Sequence, residues 1–354
     1  SFFDKIFDCN VLNQTGITGL NKELSALFVY NTFIKNKENI LLVLNSTYEA
    51  NLFYNKLLNY TSNVLFFPMD DFITSEALAV SPEFKTERII TLNKLSSNDK
   101  KYIVVSNLMG VLRYLPSVRT WKENIIKLKK GMDYSRDDLI KKLFDLGYET
   151  EKIVYETGKI GIRGFVIDIF PIGEDNPIRI EFWGDTIDTI KYFDVDTQLA
   201  TEEINNIDIF PFTEFLLDNN VSEVIKKQKY LKKYSNKIDG IWNYIGNSCC
   251  IYYDYGQLKT SYENLKNTVF EYSKETKELN KTDYMYNIND ITCEKEIYIS
   301  SIDNYLYDLK LKRVMNFESS DVSNYEGNYE WLKNDLEKYV IKKRTVIICF
   351  KNSV

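Results

Sequence analysis

The string Gly16-Ile17-Thr18-Gly19-Leu20-Asn21-Lys22-Glu23 lies nearest to reaction chemistry in this chain. It follows the order of a phosphate loop, G-x-x-x-x-G-K-[ST]. There, glycines let backbone N–H groups surround the phosphates, the lysine neutralises them and a hydroxyl holds Mg²⁺. Gly16 and Lys22 are in register, but Asn21 replaces the second glycine and Glu23 replaces the hydroxyl residue. A carboxylate at that position would face the triphosphate, and like charges ~4 Å apart repel by ~4 kcal/mol at the effective dielectric near a protein surface. Asn21 adds a backbone cost if its φ must be positive, although asparagine tolerates that better than most residues. The string reads as a phosphate loop that kept its place in a fold and lost its nucleotide.

Other chemistry is sparse. The chain has no histidine, which removes Ser-His-Asp and Cys-His nucleophile systems and histidine-containing zinc sites. Cys9, Cys249, Cys250, Cys293 and Cys349 show no C-x-x-C spacing, are odd in number and read as reduced thiols. Asp70-Asp71 follows an expected strand end at Pro68, where an α/β active site could sit, but no basic or metal-ligating residue supports it. Asp194 and Asp196 read as turn residues. Lysines 226, 227, 229, 232, 233 and 237, interleaved with Tyr230 and Tyr234, describe either a solvated helix face or a local contact to nucleic acid. With no nucleophile beside a base and no metal cluster, the chain reads as a non-enzyme.

A binding face is the stronger signal. Residues 163–183, RGFVIDIFPIGEDNPIRIEFW, read as two adjacent strands joined by a turn at Gly173, Asn176 and Pro177. Side chains alternate along a strand, so Ile178, Ile180 and Phe182 form a core face while Arg179, Glu181 and Trp183 point the other way. Arginine and tryptophan are the residues that most often anchor protein interfaces. The bland alternative is an amphipathic sheet with one solvated face.

The elements that must position these residues follow from apolar patterning. Ile40–Leu44, Val64–Phe67, Ile103–Val105 and Val346–Phe350 read as buried parallel strands, the first three separated by helical segments at Ala50–Asn59 and Phe84–Leu95. Ser135 with Asp138 resembles a capping box, and that helix runs to Leu146 with Gly147 as its stop. Strands are expected at Glu149–Glu156, Gly164–Phe170, Ile178–Trp183 and Thr186–Phe193. Asp-Ile-Phe-Pro occurs at 168–171 and 208–211 and marks strand exits. The organisation expected is an α/β domain at 1–123, an antiparallel α+β domain at 124–212, a small inserted unit at 213–313 and a return to the first domain at 314–354. The 354 residues suit two or three domains, and the net charge of −6 argues against bulk electrostatic binding to nucleic acid. No apolar run approaches the ~20 residues of a membrane span. A start without Met and an end just after an apolar run suggest a piece of a longer protein.

Arg163–Pro171, then Arg179-Ile-Glu-Phe-Trp-Gly-Asp185, then Phe193-Asp-Val-Asp-Thr-Gln198 resemble the domain shared by the excision-repair protein UvrB and the transcription-repair coupling factors (Mfd). Val80–Arg88, VSPEFKTER, with the strand and Leu108–Pro116 that follow, is similar to the first domain of the coupling factors. The resemblance covers nearly all of 11–215 and the last 40 residues and is weak across the third unit. UvrB keeps an intact phosphate loop and carries a long DNA-inserting hairpin. Here the loop is degenerate and only about 35 residues separate Pro68 from Ile103, too few for that hairpin.

The resemblance implies a degenerate RecA/P-loop-like parallel-sheet domain with two inserted smaller domains. It implies a bacterial, cytoplasmic protein that, when whole, is an ATP-driven translocase on double-stranded DNA and displaces stalled RNA polymerase. Polymerase, DNA, ATP and Mg²⁺ would be bound by domains outside this chain, which would itself hold no cofactor and recruit UvrA. The UvrA-contacting positions carried over are Arg163, Arg179, Glu181 and Trp183, the last standing where the family usually has Phe. The competing reading is a UvrB-like, ATP-dependent protein that binds damaged DNA.

Overall fold

In the computed structural model the structure describes residues 13–70, 81–97, 99–217, 228–277, 279–300, 306, 308–321, 325 and 327–346. The strands in chain order are β1 Thr15–Thr18, β2 Ile40–Leu44, β3 Val64–Phe67, β4 Ile103–Asn107, β5 Leu115–Pro116, β6 Ile126–Lys129, β7 Glu149–Thr150, β8 Lys159–Arg163, β9 Val166–Ile169, β10 Ile178–Trp183, β11 Thr186–Phe193, β12 Ala200–Glu203, β13 Asn206–Ile209, β14 Ile238–Asp239, β15 Cys249–Tyr253, β16 Lys295–Ser300 and β17 Arg313–Asn316.

Seven of them build one parallel sheet in the order β17-β1-β16-β15-β2-β4-β3. All five residues of β2 are buried, as expected of a strand covered on both faces. The helices Lys22–Asn36 and Thr47–Leu58 pack into the core shared by one side of this sheet. The helix Pro82–Ser97 buries Ile89, Leu92 and Leu95 on the other.

A second sheet of six strands, β12-β11-β10-β9-β8-β7, is antiparallel except for the short β7–β8 pair. The helix Arg136–Asp145 presents Leu139 and Leu143 to the same core as Ile167, Ile178 and Ile180. Its N-cap Ser135 accepts from the Asp138 N–H, and Gly147 follows it at φ +89. Both Asp-Ile-Phe-Pro strings stand where strands end, their Asp-Ile closing β9 and β13 and their Phe-Pro leaving the sheet.

Several expectations change. The run expected as one strand at Glu149–Glu156 stays in the sheet only through Thr150, because the chain then turns across the sheet to bury Val154 against Phe170 and Phe193. The run expected as Gly164–Phe170 is preceded by β8, which a two-residue turn at Gly164-Phe165 joins to β9. Segment 213–313 supplies β15 and β16 to the middle of the parallel sheet. Of the expected strand Val346–Phe350, residues 347–350 lie outside the described residues, as do Cys9, Asp71, Lys226, Lys227 and Cys349.

Candidate interaction site

The phosphate-loop string occupies different structure from the one its spacing suggests. Gly16 lies within β1, so only Gly19, Leu20 and Asn21 connect strand to helix. Asn21 is extended at φ −73 and caps the helix, accepting from the Leu24 N–H at 2.9 Å. The left-handed residue is Gly19 at φ +75, where a Cβ would lie 1.7 Å from the Phe317 carbonyl oxygen. The chain's own segment 317–320 fills the loop: the Asn21 N–H donates to Ser319 Oγ (2.8 Å), the Asn21 side chain donates to the Ser320 carbonyl (3.0 Å), and Ser319 donates to the Gly19 carbonyl (2.6 Å). Lys22 is exposed, and Glu23 pairs with Lys56.

The basic segment also turns partly inward. Lys229 is buried and donates to the Tyr272 hydroxyl at 2.9 Å. Lys232 donates to the Thr282 carbonyl at 2.9 Å and lies 3.6 Å from Asp283. Asp194 accepts from the Thr197 N–H and hydroxyl, both at 2.8 Å, as a turn residue does. Among the described residues no group of three or more His, Cys, Asp or Glu is placed to hold a metal ion.

The remaining feature is the outer face of the second sheet. The β9–β10 register sets Asp168 opposite Arg179, and the β8–β9 register sets Arg163 opposite Val166, two residues from Asp168. Asp168 is 1% exposed. Its carboxylate accepts from Arg179 Nε (2.7 Å) and Nη2 (3.0 Å) and from Arg163 Nη2. The forked, charge-assisted pair fixes the Arg179 guanidinium in place, and the single bond from Nη2 tethers that of Arg163. The bond to Asp168 holds the Arg179 guanidinium above its ordinary pKa. Arg179 also donates to the Gln198 carbonyl (3.3 Å), and its guanidinium lies over the ring of buried Phe193 at 4.7 Å.

The four residues marked by sequence therefore differ in availability. The side chain of Arg179 is 20% exposed and that of Arg163 54%. Glu181 accepts from the Thr189 hydroxyl at 2.7 Å and lies 3.4 Å from Lys191, and the Thr189 bond leads the effects that lower its pKa. Trp183 is 83% exposed at the end of β10, while Ile178, Ile180 and Phe182 are buried beneath. Alternation separates the faces correctly, yet it casts Arg179 as an open contact when the fold has largely enclosed it.

Sequence reasoning missed two partners. Asp168 reads as an ordinary strand-exit residue, although a carboxylate directly across from an arginine was available as a signal once the β9–β10 register was known. It also missed the buried cluster where the sheet domain rejoins the parallel sheet. Glu214 accepts from Arg88 Nε and Nη2, each at 3.0 Å, and from Arg113 Nη2 at 3.2 Å, while Arg88 Nη1 donates to the Pro68 carbonyl. Burial pushes the Glu214 carboxyl up, but Arg113 and Arg88 outweigh it and hold the group at about 2.

Residues 126–215 match the family model of the UvrB interaction domain. The chain is 26% identical over 382 aligned positions to a transcription-repair-coupling factor of Staphylococcus epidermidis, a match covering 94% of the chain and 32% of the relative. It is 31% identical over 215 positions to the protein of that name from Staphylococcus haemolyticus, covering 60% of the chain and 18% of the relative. A Staphylococcus aureus counterpart is 32% identical over 218 positions, covering 61% and 18%. The chain thus spans at most about a third of the length of these curated relatives.

Proposed function

We propose, on the premise that this chain carries a UvrB interaction domain and is homologous to transcription-repair coupling factors over 94% of its length, that it is the N-terminal module of such a factor and recruits UvrA. The surface used is the outer face of β8–β11. The observation that carries the reading is the match at 126–215, which encloses the sheet bearing Arg163, Arg179, Glu181 and Trp183. Asp168 pre-positions the two arginines, so docking orders few side chains and retains more of its gross interaction energy.

In this reading the chain is a scaffold without catalytic activity. Its α/β layer is a degenerate relative of nucleotide-binding domains, and the loop that would cradle a phosphate bonds to Ser319 and Ser320 instead. ATP hydrolysis with Mg²⁺, translocation on double-stranded DNA and engagement of RNA polymerase belong to other domains of the whole protein, which acts in the bacterial cytoplasm. Among the described residues no helix is long and apolar enough to cross a membrane.

The test is a calorimetric titration of the chain with its cognate UvrA, beside an Arg163→Glu variant. Binding by the parent and loss in a still-folded variant support recruitment through this face. A parent chain that leaves UvrA free, or one that turns over Mg-ATP, counts against the scaffold reading.

A further inference from the structure

Part of the outer face of the second sheet is covered by the chain itself. The β8–β9 and β9–β10 registers set Gly161, Asp168 and Arg179 in one cross-strand row, so all three share that face. Phe170 follows Asp168 by two residues, and Phe193 follows Lys191, the register partner of Arg179, by two. Alternation puts both rings on the outer face as well. There they form a small apolar cluster with Val154, separate from the core beneath the sheet. Val154 is 1% exposed and Phe193 is fully buried.

Val154 belongs to segment 151–156, which leaves the sheet after β7. Both ends of the segment are pinned. The Glu151 N–H donates to the Ile160 carbonyl at 2.8 Å, and the Glu156 carbonyl accepts from the Lys159 N–H at 3.2 Å. Gly161 makes room for the crossing. A Cβ there would lie 3.2 Å from Val154 Cγ2 and 3.6 Å from both the Asp168 Cβ and the Glu151 carbonyl oxygen. Gly161 does not have a positive φ, so space is what this glycine supplies. The segment therefore borders Asp168, and its Val154 shares a cluster with the ring over which the Arg179 guanidinium lies at 4.7 Å.

We infer that segment 151–156 is a positioning element for recruitment: Val154 keeps water from the Asp168–Arg179 pair and holds the Arg179 guanidinium on Phe193 in the pose that UvrA meets. This rests on the recruitment reading above and adds the device that sets its most enclosed arginine. A hydrogen bond to a carboxylate and a cation–ring contact both strengthen where water is kept out. Without the Val154 side chain the guanidinium trades Asp168 for water part of the time, and a partner has to order it again on docking.

The experiment compares the parent chain with Val154→Ala and with Gly161→Ala, which lifts the segment without removing a buried side chain and carries the test if Val154→Ala does not fold. NMR follows exchange of the Arg179 Nε–H with water in each free chain, and the backbone amides of β10 report that the sheet stays folded. Calorimetry gives the Kd for UvrA. In the variants Nε–H exchange is expected to quicken at least about fivefold, and UvrA binding to weaken about 2- to 12-fold, the range for re-ordering one long side chain. Nε–H exchange at the parent's rate overturns the inference whatever the affinity does, since the segment then does not act through Arg179. Faster exchange with a Kd less than about twofold weaker also overturns it, and either result leaves the recruitment reading standing. A parent that does not bind UvrA overturns both.

Discussion

Replacing Trp183 with alanine separates binding from folding more cleanly than any other change on this face. A tryptophan carries up to about 250 Å² of surface, and with 83% of it exposed here roughly 200 Å² awaits a partner. At ~25 cal/mol per Å² full coverage is worth about 5 kcal/mol, and half coverage about 2.5 kcal/mol. Ordering the side chain returns about 0.5–1.5 kcal/mol of this. At half coverage a net loss of about 1–2 kcal/mol is expected, roughly a 5- to 30-fold weaker Kd for UvrA. The free variant should keep its stability within about 0.5 kcal/mol, because the ring is not packed into the core. Arg179→Ala makes the contrast. It strips the buried Asp168 of two of its three bonds to guanidinium nitrogens, which should cost the free chain about 1.5–3 kcal/mol before any partner is added. Calorimetry against UvrA and urea unfolding of each free chain provide the two readouts. A Trp183→Ala chain that binds like the parent, or that unfolds markedly earlier, would refute the reasoning.

Three further outcomes are expected. Asp168→Asn should cost about 1.5–3 kcal/mol in urea unfolding and also weaken UvrA binding, although Asp168 is too buried to touch a partner; unchanged affinity would show that the arginines need no positioning. Glu214→Gln should destabilise the chain by about 3–5 kcal/mol, since it leaves two buried guanidiniums without their anion. The folded Glu214 carboxyl sits near 2 and an unfolded one near 4.3, so its stabilisation of roughly 3 kcal/mol is complete above that value and is lost as pH falls from about 4.3 towards 2. Urea midpoints measured across that window should fall less steeply in Glu214→Gln than in the parent, and parallel slopes would count against the assignment. Gly19→Ala should lower stability by more than about 2 kcal/mol, from left-handed strain and from collision with Phe317; a urea midpoint matching the parent's would remove segment 317–320 from the loop.

The outer face was legible because a two-residue period needs only local sequence: Ile178, Ile180 and Phe182 inside imply Arg179, Glu181 and Trp183 outside. β2 and β3 were legible as unbroken apolar runs. β15 and β16 were not, because Cys249-Cys250 and Lys295-Glu296 interrupt the aliphatic signature of strands that are nonetheless largely buried. β1 was hidden by its own glycine, which sequence assigned to a loop. Gly16 is instead a point of close packing, where a Cβ would lie 2.7 Å from Leu311 and 3.0 Å from Leu306. Arg88 escaped notice because its partner Glu214 lies 126 positions away, beyond any local pattern.

The order of strands in the parallel sheet also sets a timetable for synthesis. β2 pairs on one side with β4 and on the other with β15, and β1 has no strand beside it until β16 and β17 exist. At roughly 5–20 residues per second, β2 waits on the order of 10–40 s after its own emergence for β15. The second sheet, made mostly of successive hairpins, needs no such wait and can close while the parallel sheet is still half built. During that interval β2 presents Ile40, Leu41, Leu42 and Val43 along an unpaired edge, the kind of edge that invites pairing with another chain. The nascent protein thus has the sheet proposed to recruit UvrA in place first, and is most exposed to misassembly in the parallel sheet that forms later.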